Sequence, residues 1–209
     1  MKNRLFPLRL AFFFLVSLPT ISGRAQTVIT FDDLTQTSTG LLSTNIPNGY
    51  EGLTWSNMFV VNALRGAAIN GTNGYYYGMV SPSNVAFNAG GSPAEIDSAT
   101  NFNFLSAYFT GAWKSNLDVE VQGYSGTNLV YDETKVASAT NATLFTFDYL
   151  DIDRLYFNSY GGEEAFGPND GNNFVMDNIT FQFIPEPSSL LLTTAGVLAL
   201  VAFVKRKRV

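Results

Sequence analysis

Two kinds of side chain in this sequence could do chemistry: carboxylates near the two ends of its middle stretch, and aromatic rings in polar surroundings. Asp32 and Asp33 close the alternating run 27–33, and Asp177 stands inside the run 173–183. Two or three carboxylates together with backbone carbonyls make an oxygen-ligated cation site, which suits Ca2+ before any transition metal. The plain alternative is that Asp32 and Asp177 cap turns. Trp55, Trp113 and the triplet Tyr75, Tyr76, Tyr77 offer flat apolar rings, several with a polar tip, a chemistry suited to stacking on sugars. The acid pairs Asp132-Glu133 and Glu163-Glu164 raise the idea of a glycoside hydrolase. That reaction needs two carboxyl groups flanking one bond at about 5–10 Å. Sequence neighbours on turn or Gly-rich segments are poor candidates, so no catalytic residue is assigned and no enzyme activity is expected. The chain has no His and no Cys. That removes the thiol nucleophile, the disulfide, the usual zinc ligands and every Ser-His-Asp arrangement.

These residues must be positioned by strands. The run 117–124 alternates strictly, with Leu117, Val119 and Val121 on one side and Asp118, Glu120 and Gln122 on the other. Ser125-Gly126-Thr127-Asn128 reads as a hairpin turn returning into 129–132. Further strands are expected over 27–33, 52–55, 58–62, 84–88, 102–110, 143–149, 152–158 and 173–183. Phe145, Phe147 and Tyr149 share one side of their strand, and Ile179, Phe181 and Phe183 share one side of theirs. Segments 34–49, 65–77 and 159–173 are rich in Gly, Asn, Ser and Thr or lack a period and read as loops. No window of 12 or more residues carries a convincing helical period. Many short strands at this spacing predict an all-β, antiparallel two-sheet sandwich of the jelly-roll kind with about ten strands. First and last strands lying side by side would bring Asp32 or Asp33 toward Asp177.

The two ends do not belong to that fold. Residues 1–25 carry Lys2, Arg4 and Arg9, an apolar run from Leu10 to Leu18, and small residues Gly23 and Ala25 at the −3 and −1 positions of a cleavage site. This is the layout of a secretory signal peptide, which makes signal peptidase a partner. Residues 184–209 contain Pro185-Glu186-Pro187, an apolar stretch over 188–204 and a basic end at 205–209. The stretch is just long enough for a spanning helix, and the cations behind it would stay cytoplasmic. Between them, residues 26–183 hold four basic residues (Arg65, Lys114, Lys135, Arg154) against 16 acidic ones, a formal charge of −12. Nucleic acid, whose phosphates demand a basic patch, is excluded as a partner.

Pro185, Glu186 and Pro187 followed by a short span and a terminal Arg/Lys cluster resemble the PEP-CTERM sorting signal. The resemblance implies processing by an exosortase, with those three residues as a recognition motif. It also implies transient anchoring in the inner membrane and delivery to the cell surface or extracellular space. The middle domain, with an acidic residue near its start and Asp177 near its end, resembles galactose-binding-like carbohydrate-binding modules, which implies a structural Ca2+. The function expected is structural or adhesive, in a polysaccharide-rich extracellular matrix. The alternative is a calcium-stabilised carbohydrate-binding module that binds extracellular polysaccharide.

Overall fold

Alternating apolar and polar residues need a partner layer to bury one face, and here two layers of strands supply it to each other. The structure, a computed structural model, describes residues 26–34, 43–168 and 171–184, with Gly196. The expected signal peptide, the Pro185-Glu186-Pro187 motif and, apart from Gly196, the expected membrane span lie outside the described residues.

Among the described residues ten strands follow in order: β1 Gln26–Ile29, β2 Ser43–Asn45, β3 Thr54–Ser56, β4 Met58–Asn62, β5 Asn84–Asn88, β6 Ala94–Gly111, β7 Lys114–Ser125, β8 Asn128–Ala137, β9 Thr143–Glu164 and β10 Phe174–Phe183. Every ladder is antiparallel. Hydrogen bonding is continuous, because the long strands β6 and β9 each run through both layers. Their mutual register breaks at three places, between Asp97 and Phe102, Phe102 and Phe104, and Phe104 and Ser106, and opposite the last two β9 carries a residue in the left-handed region, Asp151 (φ 60) and Asp148 (φ 50). Asp tolerates that backbone better than most residues, so the chain can bend there. The first layer holds β2, β4, β5, β1, β10, the second half of β6 and the first half of β9. The second holds β3, the first half of β6, the second half of β9, β7 and β8. The fold is the expected antiparallel β-sandwich, with β1 paired to β10 from Gln26↔Gln182 to Ile29↔Ile179.

The core between the layers is aromatic. Phe157, on the second half of β9, lies 5.6 Å from Phe174, 6.3 Å from Phe109 and 6.5 Å from Phe104. All four rings are buried, each contributing about 1.5–3 kcal/mol by leaving water. Leu117, Val119 and Val121 are inward and buried, as their alternation predicts. Tyr149 is buried as well, and its hydroxyl is satisfied by donating to the Val121 carbonyl at 3.0 Å.

Several expectations change. β1 ends at Ile29, because Phe31 adopts φ 63 and the Leu34 N–H turns back to the Phe31 carbonyl at 3.1 Å. The 159–173 segment is not all loop: β9 continues to Glu164, pairing Glu163 with Ser115 and Glu164 with Lys114. The 65–77 loop is largely two short helices, α1 Ala63–Asn70 and α2 Gly74–Tyr77. Asn62 caps the first by accepting the Arg65 N–H, and Asn73 caps the second by accepting the Tyr75 N–H. Asparagine side chains satisfy such orphan donors well.

Candidate functional site

The predicted carboxylates are engaged as hydrogen-bond acceptors. Residues 63–84 connect β4 to β5 by folding over the outer face of the first layer. A second small core lies beneath this segment: Val61, Ala63, Val85, Ala112 and Val175, flanked by Tyr75, Met79, Phe87 and Trp113. Asp177, fully buried on β10, ties down the far end of the segment. One carboxylate oxygen accepts the N–H groups of Val80 (2.7 Å) and Ser81 (2.9 Å). The other accepts the Ser81 hydroxyl (3.2 Å) and the Asn178 N–H (2.7 Å). Burial pushes the Asp177 pKa up to about 6, and those hydrogen bonds, led by Ser81 and Val80, pull against the rise. Asp32 fastens the same end, where the chain enters β5, by accepting the Asn84 N–H at 2.9 Å, while the Asn84 amide donates to the carbonyls of Phe31 and Leu34. Asp33 accepts the Tyr50 hydroxyl at 2.7 Å.

Neighbouring first and last strands therefore do bring Asp32 and Asp177 to one element, the loop 80–84. Both residues are engaged there by N–H and O–H donors, whose positive ends face where a cation would sit. Among the described residues no group of three or more acidic side chains gathers as a metal site.

The predicted sugar-stacking rings are scattered. Trp55 is a correction: it is 5 % exposed, packs against Phe31 and Tyr50, and its indole N–H donates to the Tyr50 carbonyl. The alternation of Thr54-Trp55-Ser56 turns it toward the core and away from an exposed stacking platform. Tyr75 stands edge-on between Phe87 and Trp113, at 5.1 and 5.6 Å, and burial raises its hydroxyl pKa well above the tyrosine range. Trp113 is half-buried in that cluster. Tyr76 packs edge-on against Tyr77, and Tyr77, the exposed ring of the triplet, stacks on Phe166 at 5.9 Å.

A more open surface lies on the outer face of the second layer, where nothing covers the strands among the described residues. Its register aligns Glu95, Tyr156, Gln122 and Asp132 in one row and Asp97, Arg154 and Tyr124 in the next. Glu120 and Asn158 pair in a third row, and Asp118 and Tyr160 in a fourth. The side chains hold each other in place. The Tyr124 hydroxyl donates to Gln122 at 2.7 Å, and the Gln122 amide donates to Glu120 and Asp132. The Asn158 amide donates to Glu120. The Arg154 guanidinium sits 4.1 Å from the Tyr124 ring centroid. Burial and then the neighbouring Glu95 raise the Asp97 carboxyl, with Arg154 pulling the other way. Burial, Glu120 and Glu95 raise the Tyr156 hydroxyl. The result is a flat face of tyrosine rings set among carboxylate and amide groups, able to stack on sugar rings and to accept from or donate to their hydroxyls. The outward residues Asp118, Glu120 and Gln122 are visible in the sequence. Tyr124, Tyr156 and Tyr160 are not singled out by it, because their convergence depends on pairing β7 with β9.

The consecutive acids split across faces. Asp132 joins the outer network, while Glu133 pairs with Lys135 on the opposite side of β8. Glu163 and Glu164 alternate along β9. Successive strand residues point to opposite faces, so neither pair can flank one bond.

No family model matches this chain, and no curated protein matches it. Among solved structures, the K2 cleaved adhesin domain of Lys-gingipain is similar at 14% identity and TM-score 0.43, covering 76% of this chain and 99% of that one. The family 32 carbohydrate-binding module from C. perfringens NanJ, solved with galactose, is similar at 14% identity and TM-score 0.36, covering 66% and 98%. CBM51 from Clostridium perfringens GH95, solved with methyl-galactose, is similar at 11% identity and TM-score 0.32, covering 75% and 100%. At TM-scores below 0.5 these likenesses decide nothing about this chain, whose surface has to be judged on its own residues.

Proposed function

We propose that the chain is an exported, non-catalytic adhesive β-sandwich that contacts polysaccharide in an extracellular matrix through the outer face of its second layer. The observation that carries this reading is the uncovered face built from Tyr124, Tyr156 and Tyr160 with Glu95, Glu120, Gln122 and Asn158. Export rests on the leader in residues 1–25. Sorting rests on Pro185, Glu186 and Pro187, read by an exosortase while the tail is held in the inner membrane, with release to the cell surface or matrix afterwards.

A calcium-stabilised carbohydrate-binding module is the second reading. One observation favours it: the Asn178 side-chain oxygen beside Asp177 is buried and has no hydrogen-bond partner among the described residues. A cation there would have to displace donors that Asp177 now accepts. Glycan-array binding of the full chain, with and without EDTA, separates the two. Retention on polysaccharides that EDTA does not alter, and that Tyr156→Ala abolishes, supports adhesion through the second layer. Loss in EDTA supports the calcium form. Absence of binding to any glycan overturns both. Alanine in place of Pro185, Glu186 and Pro187 is expected to leave the protein in the membrane fraction.

A further inference from the structure

We propose a second ligand site, a cleft at the edge where the chain crosses from β3 to β4, built to take one neutral pyranose unit. The cleft has a volume of about 430 Å³ and is lined by Asn45, Pro47, Asn48, Trp55, Asn57 and Phe59, among others. That size falls within the range of small-molecule sites. No charged side chain lines it, so an anionic or cationic ligand would lose hydration with no partner to replace it. A neutral ligand rich in hydroxyl groups loses the same water and regains hydrogen bonds.

The amides are set in advance. Asn48 accepts the Trp55 backbone N–H through Oδ1 at 3.0 Å, which fixes its orientation and leaves Nδ2 as a donor. Asn57, with φ 54, donates through Nδ2 to the carbonyls of Ala89, Ser92 and Pro93 at 3.0–3.2 Å, which leaves its Oδ1 as an acceptor. The Asn45 amide makes no hydrogen bond to the described residues and is exposed. A fixed donor, a fixed acceptor and an adaptable amide match neighbouring ring hydroxyls, each of which both donates and accepts. The half-buried Phe59 ring, packed 5.9 Å from Phe87, supplies the apolar surface for the C–H face of the sugar. Preorganisation of this kind lowers the entropy cost of binding. The site uses none of the tyrosines of the second layer's outer face and does not depend on the adhesive function proposed for them.

The test is titration of the full chain with neutral methyl pyranosides and with the corresponding uronates, following the side-chain amide NMR signals of Asn45 and Asn48. Saturable shifts are expected for at least one neutral glycoside, with Kd on the order of 1–10 mM, and at least about tenfold weaker binding for its uronate. Asn48→Asp keeps the oxygen that receives the Trp55 N–H and removes the donor, so it should weaken binding by about tenfold or more. Asn45→Ala breaks no side-chain hydrogen bond within the described fold and should weaken it by about threefold or more. Tyr156→Ala should leave these shifts unchanged. The proposal is overturned if no neutral glycoside shifts those signals, if the uronate binds equally well, or if both variants bind as the parent does. Polysaccharide retention that Tyr156→Ala destroys, together with amide signals that no neutral glycoside shifts, would leave the adhesive face intact and remove only the cleft.

Discussion

The two layers share one core but carry opposite outer faces, and the difference traces to residues 63–84. On the first layer, the outward positions of β4, β5 and β10 are Val61, Val85, Phe87 and Val175, and the helical segment covers them. On the second, the outward positions of β7 and β9 are Asp118, Glu120, Gln122 and Tyr156, half-buried side by side, and Tyr160, which is exposed. A strand buried on both faces loses its alternation, whereas a strand with one wet face keeps it. The Val60-Val61 doublet and the strict period of 117–122 are the two outcomes side by side. The covered face adds packing to the fold, and the bare face adds only the hydrogen bonds among its own side chains.

The largest expected effect is a change that lifts the cover. Gly74 lets α2 approach β6 so closely that an added Cβ would lie 1.9 Å from the Gly111 carbonyl oxygen and 2.7 Å from the Ala112 Cα. Both are backbone atoms that cannot step aside. Gly74→Ala should therefore cost about 3 kcal/mol or more, measured by urea unfolding, with new dye binding as the apolar outer face opens. The matching change on the bare side is Gly126→Ala in the β7–β8 hairpin. Gly126 sits at φ 59 with no atom within 4 Å of the added methyl. It should cost only about 1–2 kcal/mol, the strain of a left-handed backbone. Equal costs at the two glycines would break the distinction between covered and bare layers.

The next effect sharpens the comparison through pH. Asp177→Ala leaves the N–H groups of Val80, Ser81 and Asn178 without their acceptor and should cost about 2–3 kcal/mol at neutral pH. Asp177→Asn keeps one oxygen for the loop and should cost less. The two variants also differ from the parent in slope. The Asp177 pKa stands at about 6 in the fold against 3.8 ordinarily, so the folded state holds the proton more tightly. Its contribution is full below about pH 4 and is lost as the pH rises through 6, by about 3 kcal/mol. Asp177→Asn should flatten that part of the stability profile between pH 4 and 7. A parent profile that rises over the same window would refute the assignment.

The layered fold was legible where a period of two was strong. Leu117, Val119 and Val121 face the core as read, the hairpin turns at Gly126, and β4 and β5 run over the expected residues. The pairing of β1 with β10 was expected as well. The covering helices were not legible, because Leu64 and Ile69 of α1 are exposed and leave no apolar stripe, while α2 is a single turn. Asp177 and Asp32 were singled out by residue type, but type alone does not say whether a carboxylate meets a cation or backbone N–H groups. That depends on where loop 80–84 passes, 96 residues away from Asp177 in the case of Ser81. Trp55 was assigned by its ring, although its exposed neighbours Thr54 and Ser56 place it inward.

On the bare face, Glu120→Gln and Tyr156→Ala should each change stability by no more than about 1 kcal/mol, as expected of side chains that cover no core. Glu120 accepts the amides of both Gln122 and Asn158, so its loss loosens the face without opening the fold. Stability losses as large as that of Gly74→Ala would mean that these residues belong to the scaffold and not to a binding surface.

The smallest effect concerns a cation of that face. Arg154 lies opposite Asp97 in the ladder and over the Tyr124 ring at 4.1 Å. A guanidinium stacks flat on a ring while reaching a carboxylate, and an ammonium does not. Arg154→Lys should therefore cost about 0.5–1 kcal/mol. The same loss should vanish when Tyr124 is already leucine, which a double-mutant cycle measures directly. The Asp97 carboxyl should also rise further in Arg154→Ala, since the charge holding it down is removed. A cycle with no coupling would show Arg154 to be solvated charge on an otherwise acidic face. Measurable coupling would show that the open layer holds its rings in place without a covering segment.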